Sequence, residues 1–241
     1  MSSEIEWNTE TALDFLIRLN ADGLYLRSQL DELNPILSLI PGRIYELDGD
    51  VGVGKTQICY SLAAKFLESK STARIGWISA IPLRTDHLSH HFTTKNDHFL
   101  ERIVCKHVEK LPELKKSLDN FFSTPNLSLI FVEDVDALLH DTVYDKDVGR
   151  HQQTEVLDRI RKLTRNGATV VVTNHITHWR GYPAPALGAF WTSQITHRWF
   201  IDKREESDVR VISTMEQDEQ RDEKTKEIQF RIGAKGLEAV K

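Results

Sequence analysis

The fold of this chain is decided by residues 49–56, which read Gly49-Asp50-Val51-Gly52-Val53-Gly54-Lys55-Thr56. This is the G-x-x-x-x-G-K-[ST] pattern of a phosphate-binding P-loop. Its glycines let backbone N–H groups wrap a phosphate chain, because a Cβ atom would block the tightest positions. The helix that follows adds the positive end of its dipole. The stretch, extended to Gln57, therefore predicts a site for the phosphates of a nucleotide.

The segments on either side of the loop supply the structural context that the pattern needs. Residues 43–47 are rich in strand formers, and residues 57–67 have helical periodicity. In this context Lys55 is expected to reach the β- and γ-phosphates of ATP, and the Thr56 hydroxyl to bind Mg²⁺. The alternative, a glycine-rich turn that happens to precede Lys-Thr, gives no reason for the flanking strand and helix.

Composition excludes several classes of protein. The 241 residues suit one α/β domain or two small ones. A net charge of −5 provides no global basic field, so any contact with DNA must come from a local patch. Cys59 and Cys105 have no partners at metal-ligand spacing, which favours reduced thiols in an intracellular protein. No apolar run predicts a membrane span, and residues 1–7 lack a signal-peptide core.

Apolar runs alternating with helical segments predict a mostly parallel sheet covered by helices on both faces, an α/β fold. After the first strand, the predicted parallel strands cover 74–79, 103–108, 127–132 and 168–173. The predicted helices between them cover 84–102, 112–122 and 152–166. An antiparallel C-terminal edge is predicted from 193–202, 209–214 and 226–232, with the charge run 216–226 as a solvated hairpin tip. Residues 1–30 are predicted to be a helical lead-in that binds a partner, and 31–241 the core.

An acidic pair, Glu133 and Asp134, ends the apolar strand 127–132. P-loop enzymes hold Mg²⁺ from an acid at this position, usually Asp, so Glu133 is predicted to bind the metal with Thr56, directly or through water. Glu is one methylene longer than Asp, which argues against efficient hydrolysis. The alternative is that both acids merely end a core strand.

Four stretches, in this order, resemble the RecA-type recombinase family, and within it the eukaryotic paralogues that assist homologous recombination. They are the P-loop with Gln57, residues 130–138, residues 170–177, and residues 185–188 with Trp191. The resemblance implies a RecA-like P-loop NTPase core that binds ATP and Mg²⁺. It also places His175 where the family has its γ-phosphate sensor; the alternative is a polar residue with a structural partner. Some segments are similar to the D-type paralogue and others to its X-type partner.

Three departures from the family pattern bear on function. The N-terminal helical domain has no counterpart before the core. The family's catalytic glutamate after the second strand is replaced by residues 79–82, Ser-Ala-Ile-Pro. The loop between Thr177 and Pro185, which inserts into DNA in strand-exchange enzymes, is short. A water without a positioned base attacks the γ-phosphate poorly, so slow turnover is expected from the predicted catalytic residues Lys55, Glu133 and His175.

The shortened loop contains Trp179, Arg180 and Tyr182. Aromatic rings beside an arginine suit stacking on single-stranded DNA with phosphate contact. They suit a protein interface equally well, since Trp, Tyr and Arg dominate interfaces. Arg150, near the first DNA loop at residues 145–151, adds a thin basic signal.

His87, His90 and His91 have helical spacing and could gather a metal. Solvent-facing positions are favoured, because no Cys or acid has matching spacing.

Together these features predict a nuclear, ATP-binding subunit of a complex of recombinase paralogues. It would assist the main strand-exchange recombinase on single-stranded or branched DNA, with at most weak ATPase activity, no autonomous strand exchange and no membrane contact. Two alternatives stay open. One is an autonomous DNA-stimulated ATPase, which Lys55, Thr56 and Glu133 support and Ile81 opposes. The other is a scaffold subunit whose P-loop is vestigial.

Overall fold

A computed structural model describes most of the predicted core. The described residues are 33, 36–70, 72–94, 97–143, 146–179, 182–195, 197–204, 207–214, 227–233 and 236–240. The predicted lead-in at 1–30 and the charge run at 216–226 lie outside them.

The described strands join into one sheet. They are β1 (Ile44–Gly49), β2 (Arg74–Ser79), β3 (Ile103–His107), β4 (Leu127–Val132), β5 (Thr169–Trp179), β6 (Tyr182–Pro185), β7 (His197–Lys203), β8 (Arg210–Thr214), β9 (Glu227–Gly233) and β10 (Gly236–Ala239). The α-helices are α1 (Lys55–Ser69), α2 (Thr85–Ser89), α3 (Leu111–Phe122), α4 (Val135–Leu139), α5 (Lys146–Arg165) and α6 (Gly188–Thr192). Two 3₁₀ helices cover Asp97–Arg102 and His140–Val143.

The sheet has the strand order β10-β9-β8-β7-β1-β5-β4-β2-β3. The six strands from β7 to β3 run parallel, whereas β8, β9 and β10 add an antiparallel edge. Parallel strands with helical crossovers have to be covered on both faces, which explains why their sequences are almost continuously apolar. The predicted α/β class, with its antiparallel C-terminal edge, is confirmed.

Two hydrophobic clusters cover the two faces of the sheet. On one face α1 buries Ile58, Leu62 and Phe66. On the other, α3 and α5 bury apolar side chains that include Leu118 and Ile160. The sheet is therefore the middle layer of a three-layer fold, and α1 carries the P-loop side chains at its first turn.

Several predicted elements differ in extent from those observed. Residues 84–102 form α2 and a 3₁₀ helix rather than one helix. Helix α5 begins at residue 146, so the predicted loop at 145–151 is mostly helical. Strand β7 begins at His197 rather than at residue 193, after α6. The loop from Thr177 to Pro185 is a hairpin, because β5 extends to Trp179 and pairs with β6. Local patterns mark these segments as ordered, but strand pairing and packing decide where each element ends.

An ionic network inside the sheet joins β1 to its neighbours. Arg198 on β7 donates from Nε to Glu46 Oε2 (2.9 Å) and from its guanidinium to Asp48 Oδ2. Glu46 Oε1 also accepts from Trp191 Nε1 (2.7 Å) and from Asn174 Nδ2 (3.0 Å). Glu46 and Asp48 are both almost fully buried. One guanidinium therefore compensates two carboxylates within the sheet, just before the P-loop.

Replacing Arg198 with alanine is expected to lower the free energy of unfolding by about 3–5 kcal/mol, because the buried carboxyl groups of Glu46 and Asp48 lose the cation that donates to both. Urea denaturation measures this. Arg159→Ala is the matched control: Arg159 pairs with the half-exposed Asp119 on the surface, and its loss should cost less than about 1 kcal/mol. Equal losses in the two variants would contradict a special role for the buried cation.

Candidate functional site

The carboxyl ends of three adjacent parallel strands meet at one edge of the sheet. Strand β1 lies beside β5, with Gly49 in register with His175. Strand β5 lies beside β4, which leads directly into Glu133. In open α/β sheets, ligands bind outside the carboxyl ends of the strands. The P-loop, the acidic strand end and the sensor position predicted from the sequence are thus brought to one place.

The P-loop needs its glycines for two different reasons. Gly52 has a φ of 81° and Gly54 a φ of 106°, a left-handed region that side chains disfavour. A Cβ on Gly52 would meet nothing within 4 Å, so backbone conformation alone requires glycine there. A Cβ on Gly54 would also lie 2.4 Å from Ile232 Cδ1 on β9. Strand β9 of the antiparallel edge therefore packs against the P-loop at the start of α1.

Lys55 lies over the loop, with a side chain that is almost buried. Its Nζ donates to the carbonyl oxygens of Gly49 (2.8 Å) and Asp50 (3.0 Å). Burial lowers the pKa of Lys55, and the negative charges of Asp134, Asp136, Asp50 and Asp48 oppose that shift. The ammonium group is thus held at the loop beside a cluster of acids, where its predicted role is to hold phosphates.

Thr56 and Glu133 also meet, as a Mg²⁺ site requires. Glu133 Oε2 accepts from Trp77 Nε1 at 2.8 Å. Burial raises the pKa of Glu133, and the nearby Thr56 hydroxyl and the bond with Trp77 oppose that rise. Its buried Oε1 has no hydrogen-bond partner among the described residues, which leaves it available to a cation. The pair fits Mg²⁺ bound by a few protein oxygens and completed by waters and phosphates.

No group of three or more His, Cys, Asp or Glu residues suited to a metal occurs in the described ranges. Thr56 and Glu133 therefore remain the predicted ligands. The Mg²⁺ would supply charge neutralisation for the phosphate oxygens, while Glu133 and Thr56 would fix its position.

His175 is held at the sensor position by an aspartate of α4. Its backbone N–H donates to Asp136 Oδ1 (3.2 Å), and its ring Nδ1 lies 2.9 Å from Asp136 Oδ2. On the other side of the ring, Nε2 lies 3.8 Å from Asp134 Oδ1. Asp134, with a φ of 51°, is fixed by its own N–H, which donates to Thr173 Oγ1 (2.8 Å).

The predicted DNA-contacting residues are only partly described. Trp179 and Tyr182 pair in register at the end of the β5–β6 hairpin, but their side chains lie outside the described part, as does Arg180. Arg150 is exposed on α5, and its guanidinium lies 5.7 Å from the centre of the Phe190 ring. Contact with DNA through these residues stays a prediction.

The prediction that His87, His90 and His91 face solvent is wrong for one of the three. His91 is buried, its Nε2 lies 2.8 Å from Gln57 Oε1, and burial lowers its pKa to about 4. His87 and His90 are exposed. The prediction failed for His91 because helix α2 ends at Ser89, and the chain then turns His91 towards α1.

Three residues of the site were not singled out from the sequence. Trp77 orients Glu133, Asp136 holds His175, and Arg198 compensates Asp48 just before the loop. The signals were weak: an indole N–H in a buried strand, a third acid after Glu133 and Asp134, and an arginine in a strand next to tryptophan. Each partnership joins residues far apart in the chain.

Comparison with known proteins identifies close relatives. Two curated proteins, both named RAD51-like protein 1, align over almost their whole length. The one from Caenorhabditis elegans is 57% identical over 243 residues, covering 99% of this chain and 98% of its own. The one from Caenorhabditis briggsae is 56% identical over 244 residues, covering 99% of each. No protein-family model matches the chain.

Among solved structures, the crystal structure of the RadB recombinase has a TM-score of 0.73 with this chain. The match covers 90% of this chain and 100% of RadB, at 16% sequence identity, and concerns the fold. In the described residues, no helix is long and apolar enough to cross a membrane.

Replacing Trp77 with phenylalanine is expected to weaken the binding of Mg²⁺-ATP about 10-fold, because Glu133 loses a donor that orients its carboxylate. Isothermal titration calorimetry with and without Mg²⁺ measures the effect. The matched control is Trp199→Phe, which shortens another buried tryptophan that is not a partner of Glu133. If the two variants bind Mg²⁺-ATP equally well, Trp77 does not support the metal site.

Replacing Asp48 with asparagine is expected to change how stability depends on pH. Burial and the charge of Glu46 raise the pKa of Asp48 to about 7, although Arg198 opposes this. The folded state therefore holds a proton that the unfolded chain releases above pH ~4, and stability falls as pH rises from about 4 to 7.

Relative to wild type, Asp48→Asn should be more stable at pH 8 than at pH 5, by on the order of 1–4 kcal/mol. Urea denaturation at the two pH values measures this difference. Asp202→Asn, at an exposed position on β7, is the control and should show none. A pH dependence unchanged by Asp48→Asn would show that Asp48 is ionised throughout this range.

Proposed function

This chain belongs to the RecA-type recombinase family as a RAD51-like paralogue, a class with roles in recombination and DNA repair, and we propose that it is an ATP-binding subunit of a mediator complex. In this role it would join other recombinase paralogues and assist the main strand-exchange recombinase on single-stranded or branched DNA in the nucleus. Bound ATP would stiffen the subunit and set its contacts with its neighbours.

The observation that carries the proposal is the buried carboxylate of Glu133, held by Trp77 and near Thr56, beside an intact P-loop. A vestigial loop would have no reason to keep a buried carboxylate next to the first-turn hydroxyl, because an isolated buried acid is costly. The site therefore supports binding of ATP with Mg²⁺, by Lys55 on the phosphates and by Thr56 and Glu133 on the metal.

Two features support an assisting role over autonomous strand exchange. The segment at the place of the family's long DNA loop is a hairpin in which β5 and β6 pair from Ile176 to Pro185. The second strand is followed by residues 79–82, which lack an acid to activate water. A subunit with these properties would depend on partners for its effect on DNA.

Replacing Lys55 with alanine is expected to weaken ATP binding about 10–100-fold, since a charge-assisted contact with phosphate contributes roughly 1.5–3 kcal/mol. Titration calorimetry on the purified protein measures the affinity. Lys65→Ala, ten residues further along the same helix, is the matched control and should bind ATP normally.

A pull-down from cell extract with the same two variants tests complex membership. Wild type and Lys65→Ala should recover other recombinase paralogues by mass spectrometry, and Lys55→Ala should recover less of them. The proposal is wrong if wild type binds no nucleotide and recovers no recombination protein.

The same variants separate the alternatives. DNA-stimulated turnover on the order of 1 s⁻¹ that is lost in Lys55→Ala would favour an autonomous ATPase. Undiminished assembly and repair with Lys55→Ala would favour a scaffold.

A further inference from the structure

We propose that Asp136 and His175 form a dyad that activates water for slow ATP hydrolysis, with His175 as the catalytic base and Asp136 as its positioning residue. The inference rests on the proposed function, since it requires ATP at the P-loop. The family has its catalytic glutamate at the position of residues 79–82, which contain no acid here. The dyad would supply a base from a different strand, β5.

Asp136 holds His175 at two points. One carboxylate oxygen, Oδ1, accepts the backbone N–H of His175 at 3.2 Å. The other, Oδ2, lies 2.9 Å from the ring nitrogen Nδ1, which is also 3.1 Å from Oδ1. A carboxylate can only accept hydrogen bonds, so Nδ1 must carry the proton in this pair. The aspartate thereby fixes both the orientation and the tautomer of the imidazole, as in other aspartate–histidine pairs.

The fixed tautomer decides what the opposite nitrogen can do. In a neutral ring with its proton on Nδ1, Nε2 has a lone pair and can only accept. The Oδ1 atom of Asp134 is 3.8 Å from Nε2, which is beyond a direct hydrogen bond. Neutral His175 is therefore unsuited to donate to a γ-phosphate oxygen, as a sensor would, but is suited to accept from a water molecule.

The dyad lies at the phosphate end of the site. His175 is in register with Gly49, whose carbonyl accepts from Lys55 Nζ. Among the acids near Lys55, Asp134 and Asp136 raise its pKa most. The His175 side chain is 25% exposed, so water can reach it. His175 thus lies at the same edge of the sheet as the lysine that is predicted to hold the β- and γ-phosphates, and both residues are near Asp134 and Asp136.

In the proposed step, a water molecule donates a hydrogen bond to Nε2 of His175. Its oxygen forms a bond to the γ-phosphorus while the bond to the β,γ-bridging oxygen breaks, and ADP leaves with that electron pair. The water proton passes to Nε2. The resulting imidazolium lies between Asp136 and Asp134, whose negative charges stabilise it.

The tautomer can be tested without turnover. In Asp136→Asn the amide oxygen keeps the position that accepts the backbone N–H, so the amide NH₂ takes the position nearer to Nδ1, at 2.9 Å. The NH₂ group donates, which moves the ring proton to Nε2. Two-bond ¹H–¹⁵N NMR spectra of the ring should show protonated Nδ1 in wild type and protonated Nε2 in the variant. Asp134→Asn removes the same charge near the ring and should leave Nδ1 protonated.

Turnover and affinity provide the second readout. Asp136→Asn should lower kcat for ATP roughly 100-fold or more, while the Kd for ATP stays within about 3-fold because the residue does not hold the phosphates. His175→Gln offers a donor in place of a base, so it should also lose turnover and retain ATP. It serves as the second variant if Asp136→Asn does not fold.

The outcomes separate this inference from the proposed function. Protonated Nε2 in wild type, wild-type binding of ATP without turnover, or undiminished turnover in His175→Gln would overturn the dyad and leave an ATP-binding subunit. Absence of ATP binding by wild type would overturn both. Loss of turnover with a flipped tautomer and retained affinity supports the dyad.

Discussion

The position of the P-loop depends on a buried ionic network immediately before it. Strand β1 has two acidic side chains in the middle of the sheet, and Arg198 of β7 binds both. Glu46 is also bonded to Asn174 of β5 and Trp191 of α6, so four elements meet at one carboxylate. Buried charges are tolerated only when paired, and a shifted register of β1 would break these bonds. The network thus fixes the strand that ends at Gly49 and sets the start of the phosphate loop.

The proposed ATP site that this strand supports has an intact P-loop but no acid at the end of β2. Lys55 Nζ donates to the loop carbonyl of Gly49, and the Thr56 side chain lies near Glu133. Glu133 is one methylene longer than Asp, is buried and is hydrogen-bonded to Trp77. Because burial raises its pKa, a metal ion must compete with a proton for its carboxylate. Two of the acids near Lys55, Asp134 and Asp136, come from the segment after β4, and residues 79–82 at the end of β2 provide none. On the proposal that ATP binds here, this arrangement favours its retention over rapid hydrolysis.

The segment that follows β5 shows how the architecture limits the role of the chain. Pairing of β6 with β5 from Ile176 to Pro185 makes this segment an ordered hairpin, which ends at Trp179 and Tyr182. A hairpin with paired backbone groups has less reach than a long open loop. Together with the relation to RAD51-like proteins, this supports the proposal that the chain acts as a subunit of an assembly.

The sequence by itself determined the α/β class, the P-loop and its flanking elements, and it predicted Lys55, Thr56, Glu133 and His175 as site residues. These follow from patterns a few residues long, because glycine conformations and apolar periodicity are local properties. Element ends were less certain, as in residues 84–102 and at His91, because tertiary packing sets them. Only the tertiary structure decided the partners: Trp77 for Glu133, Asp136 for His175, and Arg198 for Asp48. Hydrogen bonds between residues 39–150 positions apart depend on strand order and register, which no short stretch of sequence specifies.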